Sequence, residues 1–165
     1  MLSRLSHWLN RISETVCCGF LLAMTLIVVL QVVCRYILGA ALTWSEEFSR
    51  YGLVWITFLG AGIALKRGAH MGLQAIVGIF SPIVQHGVRL FTMVIIMGFL
   101  VIATFKGIEL SLFNMKQHSP ALGLPMGVVY LAIPSGCLVM LVHAVDQLLD
   151  LFRGLPAKVL GEAGD

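Results

Sequence analysis

The sequence predicts an all-α membrane protein, a single domain over residues 1–165 with four transmembrane helices and both termini cytoplasmic. Of its 165 residues, 59% are hydrophobic and only 12% are charged, where a soluble domain carries about 25% charged residues. The mean hydropathy is +0.96. Four segments approach or exceed the roughly 20 apolar residues that a helix needs to cross a hydrocarbon core.

The first span is expected over residues 13–36. Its centre, Val16–Cys34, holds 19 residues without a charge, longer than the ~7–15 residues of a signal-peptide core. No small-residue cleavage site follows, so an uncleaved helix is predicted. Ahead of it, Trp8 and Leu9 stand among Ser3, Arg4, His7 and Arg11. That mixture suits an interfacial helix over 2–12.

The second span is expected over 48–67. Its apolar centre, Tyr51–Leu65, has 15 residues and rises roughly 22 Å. Phe48–Arg50 and Lys66–Arg67 must extend it, the long basic side chains reaching toward the headgroups. Met71–Phe80 is apolar but too short to cross, and Pro82 closes it; it is predicted as an interfacial segment over 69–81.

The third span, 88–107, is bracketed by Arg89 and Lys106. The fourth, 119–145, begins a charge-free run from Ser119 to Val142 that contains Pro134, where a kink is predicted because proline removes a backbone donor.

Basic residues set the orientation. Arg4, Arg11, Lys66, Arg67, Arg89, Arg153 and Lys158 fall on one side; Arg35, Arg50, Lys106 and Lys116 fall on the other. The richer side, with both termini, is read as cytoplasmic. Lys66, Arg67, His70 and Arg89 are expected to set topology and meet lipid headgroups.

Several function classes are disfavoured. Cys17, Cys18, Cys34 and Cys137 all lie in apolar runs without a C-x-x-C pair, as small buried residues do. The histidines, His7, His70, His86, His118 and His143, fall at segment ends or in loops rather than facing one another as haem ligands would. Mid-span polar residues such as Thr25, Gln31, Thr57, Thr92 and Thr104 include nothing ionisable. A catalytic centre needs convergent polar groups, so no catalytic residue, cofactor or metal site is expected. The basic residues are scattered, unlike a nucleic-acid footprint. A coupled transporter keeps an ionisable residue on its path and is often built from paired repeats; neither is visible.

The stretch TWSEEFSRYGLVW, residues 43–55, carries more charge than its position requires. Thr43 and Glu46 have the spacing of a capping box. Glu46 and Glu47 would lie at the positive end of the helix, and Glu46 and Arg50 have ion-pair spacing. Trp44, Tyr51 and Trp55 suit interfacial anchors. Capping uses one glutamate, so Glu46, Glu47 and Arg50 are expected to form a polar contact at the outer membrane edge. Gly60, Ala64, Gly68 and Gly72 recur every four residues, a small-residue stripe for close helix packing, either within the chain or against another subunit.

Two blocks resemble a known family. TWSEEFSRYGLVWITFLGAGIALKRGAHM, from Thr43 to Met71, and QHSPALGLPMGVVYLAIPSG, from Gln117 to Gly136, with Cys34–Tyr36 ahead of them, are similar to the small membrane subunit of TRAP (tripartite ATP-independent periplasmic) transporters. The second block follows that family's S-P-A-L-x-x-P-M…Y…A-I-P pattern. The resemblance covers nearly the whole chain. It implies a non-catalytic scaffold in a bacterial or archaeal inner membrane, bracing a large elevator subunit and helping a periplasmic binding protein dock. The complex would take up an organic anion of the carboxylate, dicarboxylate or sialic-acid class. An ion gradient, by family habit sodium, would drive it, with sodium on the large subunit. The alternatives are an independent four-helix transporter or an accessory subunit of an unrelated membrane complex.

Overall fold

A computed structural model describes residues 2–40, 42–67 and 82–152. Four of its helices are long and apolar enough to cross a membrane. The first, α1, runs Leu2–Ile37 without a break. The surface helix expected over 2–12 is therefore continuous with the first span, in a rod about 54 Å long. Nothing near residue 12 stops a helix, because the stretch has neither proline nor glycine. Its small residues Ser6, Ser13 and Cys17 are buried, and their spacing of seven and four places them on one packing face.

Helix α2 spans Thr43–Lys66, beginning earlier than the sequence suggested. The expected capping box does not form. The N-cap is Leu42, in extended conformation and without a side-chain cap, and the Ser45 hydroxyl donates to the Leu42 carbonyl at 2.6 Å. Glu46 instead accepts a hydrogen bond from Gln31 Nε2 of α1 at 3.3 Å. The Glu46–Arg50 ion pair is likewise absent among the described residues, whose two ion pairs are Arg67–Glu14 and Lys106–Glu109.

Helix α3 spans Pro82–Phe113, longer than the 88–107 segment at both ends. A 3₁₀ turn, Asn114–Lys116, follows. The fourth segment departs most from expectation. Ser119–Pro125 is a turn; helix α4 covers Met126–Tyr130 and helix α5 covers Ala132–Phe152. Pro134 has no N–H for the carbonyl four residues back, and the interruption falls at Leu131. Leu131 N–H still bonds Gly127 O at 3.0 Å and Ser135 N–H bonds Leu131 O at 3.1 Å, so α4 and α5 form one interrupted rod.

The helices pack as an open row. Helix α1 lies on α2, α2 on α5, and α5 on α3; α1 also touches α5, while α3 makes no substantial contact with α1 or α2. Glycines allow the close crossings. A Cβ on Gly136 would come within 2.6 Å of Phe58 Cβ, one on Gly62 within 3.2 Å of Val139, and one on Gly107 within 3.0 Å of Pro134 Cδ. Cys137, Ala144 and His143 on α5 are fully or almost fully enclosed.

The four-residue stripe behaves differently. A Cβ on Gly60 would meet nothing within 4 Å, and Ala64 is exposed. Among the described residues, these two positions do not pack helices together. Gly68, Gly72, His70 and the interfacial segment expected over 69–81 lie outside the described residues.

Candidate functional site

A densely hydrogen-bonded turn joins α3 and α4. Its proline and glycine positions forbid a helix. Pro120 and Pro125 lack donors, and Gly123 adopts a positive φ of 64°, a conformation that side chains disfavour. Ser119 N–H bonds Leu124 O at 2.9 Å and Gly123 N–H bonds Ser119 O at 3.1 Å. Leu124 N–H bonds Ser119 Oγ at 3.3 Å. Met126 N–H returns to Gln117 O at 2.8 Å.

That leaves the N–H groups of Ala121 and Leu122, and both are taken by Glu47. They donate to its Oε1 at 3.2 Å and its Oε2 at 3.1 Å, with the Ser119 side chain beside the same carboxylate. Glu47 is only 8% exposed. Every backbone donor from Ser119 to Leu124 is thus satisfied, as buried or constrained backbone requires. Below the turn, Ser111 Oγ donates to Gly127 O at 2.7 Å, and Tyr51 OH reaches Met126 Sδ at 3.4 Å. What the turn shows to the outside is Pro120, Ala121, Gly123 and Leu124, all exposed.

The three residues singled out in TWSEE therefore separate. Glu47 points inward and holds the turn. Glu46 and Arg50 are exposed at the same end of α2, Glu46 bridged to α1 through Gln31. Together they form a polar rim beside a fixed apolar knuckle.

A second polar cluster ties the opposite end of the row. Arg67 pairs with Glu14 at 2.7 Å, and Asn10 Nδ2 donates to the same carboxylate at 2.8 Å. Gln147 Nε2 donates to Leu65 O at 2.6 Å. Ser6 Oγ and His143 Nδ1 are 2.9 Å apart, in full burial. Lys66 Nζ and His143 Nε2 are enclosed without a hydrogen-bond partner. Of the residues expected at lipid headgroups, Arg67 is exposed but engaged by Glu14, Lys66 is half-buried and Arg89 is half-buried. Sequence reasoning did not find the Glu14–Arg67 and Ser6–His143 contacts, which join residues 53 and 137 positions apart.

Among the described residues, no group of three His, Cys, Asp or Glu side chains could hold a metal ion. Chemically, the site offers a turn whose backbone donors are all engaged, with exposed apolar tips beside the charged Glu46 and Arg50.

Residues 24–154 match the family model described as the DctQ component of tripartite ATP-independent periplasmic transporters. A TRAP transporter small permease protein of Haemophilus influenzae is 31% identical over 93% of this chain and 98% of its own length. The ectoine TRAP transporter small permease protein TeaB of Halomonas elongata is 28% identical over 79% of this chain and 67% of its own. The isethionate TRAP transporter permease protein DctMQ of Oleidesulfovibrio alaskensis is 29% identical over 86% of this chain, but over 24% of its own length.

Proposed function

We propose, from the premise that this chain belongs to the DctQ-component family of tripartite ATP-independent periplasmic transporters, that it is the fixed scaffold of such a complex. It is a multi-pass transporter subunit and not an enzyme. The observation that carries the scaffold reading is the open row. With α3 touching α5 but not closing onto α1 or α2, the four helices enclose no path between them. They offer instead two broad apolar faces on which another membrane protein can rest.

In this reading both termini lie in the bacterial inner membrane's cytoplasmic side, and the Glu47-held turn faces the periplasm. A larger permease carries the moving parts and the sodium, and a periplasmic binding protein delivers an organic anion of the carboxylate, dicarboxylate or sialic-acid class. The exposed Pro120–Leu124 knuckle, with the Glu46 and Arg50 rim, contributes to the surface on which the binding protein lands. Gly60, where a Cβ would meet nothing within 4 Å among the described residues, and the exposed Ala64 suit close approach by a helix of the larger permease.

The experiment is reconstitution of the chain with the permease and binding protein encoded beside it. Uptake of the bound anion is measured in liposomes with sodium or potassium outside. Uptake that needs all three proteins and collapses in potassium supports the reading. Equal uptake without this chain contradicts it.

A further inference from the structure

The first turns of α1 carry positive charge without a counter-charge. The only acidic residue of that helix, Glu14, is held by Arg67 at 2.7 Å and by Asn10 at 2.8 Å. Arg4 and Arg11 are exposed, and neither has a carboxylate partner among the described residues. Beside them runs a shallow groove lined by Trp8, Arg11, Ile12, Thr15 and Val16. Spacings of three and four residues put Arg4, Trp8, Arg11 and Thr15 along one line of the helix surface. That line points away from the face on which Ser6, Ser13 and Cys17 are buried.

Contacts with α2 and α5 fix the height of the groove. Gln31 meets Glu46, and Cys17 Sγ lies 4.0 Å from Ile56 O, so α1 and α2 run antiparallel. From Ile56 to Lys66, α2 descends about 15 Å, and the same distance down α1 from Cys17 ends at His7. The contact of Ser6 with His143 agrees, because Gln147, one turn below His143, bonds Leu65 O. Trp8 thus stands level with Lys66 and Arg67, basic residues of the kind that mark a hydrocarbon edge. Helical side chains lean toward the N-terminus of their helix, which brings the Arg11 guanidinium down to that level. Ile12, Thr15 and Val16 continue above it, at the depth of acyl chains.

The groove is polar at one end only. Trp8 is 62% exposed, Ile12 39% and Val16 36%, so its walls are bare and apolar. The Thr15 hydroxyl donates to Arg11 O at 2.9 Å, which uses its proton within the helix. The lower end presents guanidinium groups and an indole N–H, all of them donors. A ligand that fits has a long apolar part and an anionic head. Two unneutralised arginines favour a net negative charge on it, because a zwitterionic head brings its own cation and gains less. Free phosphate would leave Ile12 and Val16 uncovered.

We propose that Arg4, Trp8, Arg11, Ile12, Thr15 and Val16 form a binding site for an acidic phospholipid. Its phosphate meets the two arginines and the Trp8 N–H, and one acyl chain lies along Thr15 and Val16. The site depends neither on a partner subunit nor on the direction in which the chain is inserted. Each basic residue near a charged bilayer surface strengthens association about fivefold, so the two arginines set the preference for an acidic head.

The test uses the full chain in vesicles, with Trp44→Phe and Trp55→Phe so that Trp8 is the sole tryptophan. Quenching of its fluorescence is compared for phosphatidylglycerol and phosphatidylcholine, each carrying bromine high on one acyl chain, in a host of unbrominated phosphatidylcholine. Brominated phosphatidylglycerol should associate at Trp8 about fivefold more strongly or better. Arg4→Gln with Arg11→Gln should bring the two lipids to parity, whereas Arg4→Lys with Arg11→Lys should keep the preference. Equal quenching by the two lipids with both arginines present would overturn the site, as would a preference that survives their removal. Absence of quenching by either lipid would place Trp8 against protein or water and would overturn it too.

Discussion

Glu47 on α2 binds the backbone of Ala121 and Leu122, 74 and 75 residues away, with one carboxylate oxygen on each N–H. A side chain at one helix start thus fixes the turn that leads into another helix. Two of the turn's backbone donors depend on this single group.

Removing the carboxylate should free the turn. Glu47→Ala leaves two backbone donors without their partner, at about 1–3 kcal/mol for each that stays buried. Amide exchange across residues 117–125 should accelerate markedly, with insertion unchanged. Glu47→Gln keeps one acceptor oxygen and should give an intermediate effect. Exchange as slow as in the unaltered chain would show that the clamp contributes nothing.

Glu46 and Arg50 offer the complementary experiment, because they are exposed and outside the clamp. Glu46→Lys with Arg50→Glu should leave amide exchange of the turn unchanged and lower uptake by the complex. Loss of folding instead would mean that the rim is structural.

Two glycines on one helix should respond in opposite ways. Gly62→Leu drives a side chain into Val139 and Met140 and should lower the melting temperature of the isolated chain, since overpacking costs about 1–3 kcal/mol. Gly60→Leu projects into open space. It should leave that temperature alone and reduce recovery of the larger permease in pull-downs.

The Glu14–Arg67 pair, short as it is, should matter little to stability. The Arg67 side chain is 70% exposed, and exposed pairs contribute about 0–1 kcal/mol. Glu14→Gln should shift the thermal midpoint only slightly, whereas Ser6→Val, which leaves the enclosed His143 Nδ1 without its partner, should shift it clearly.

Orientation is tested by reporter fusions. An enzyme reporter active only in the periplasm, fused after Gly68, should be silent, and the same reporter inserted at Ala121 should be active. The reverse pattern would invert the assignment.

The four spans were legible because uninterrupted apolar runs leave few alternatives to a membrane helix. Their ends were not. The flanks of α1 and α3 are amphipathic, and whether they continue as helix depends on distant partners such as His143 for Ser6. Thr43 and Glu46 have capping spacing, yet the helix already includes Thr43, with Leu42 as its N-cap, and Gln31 of α1 takes the Glu46 carboxylate. The turn at 119–125 was hidden inside an apolar run read as a span; Pro120, Gly123 and Pro125 were the signal that hydropathy overrode. That Glu47 would serve this turn was not legible, since nothing local links positions 47 and 121.

In the proposed function this chain supports transport without performing it. The direct measurement is anion uptake into sodium-energised liposomes, with loaded binding protein outside and the membrane proteins added singly or together. No uptake above empty liposomes is expected from this chain alone, and saturable uptake when the larger permease joins it. Saturable, sodium-dependent uptake by the lone chain would show that it is itself a carrier and not a scaffold.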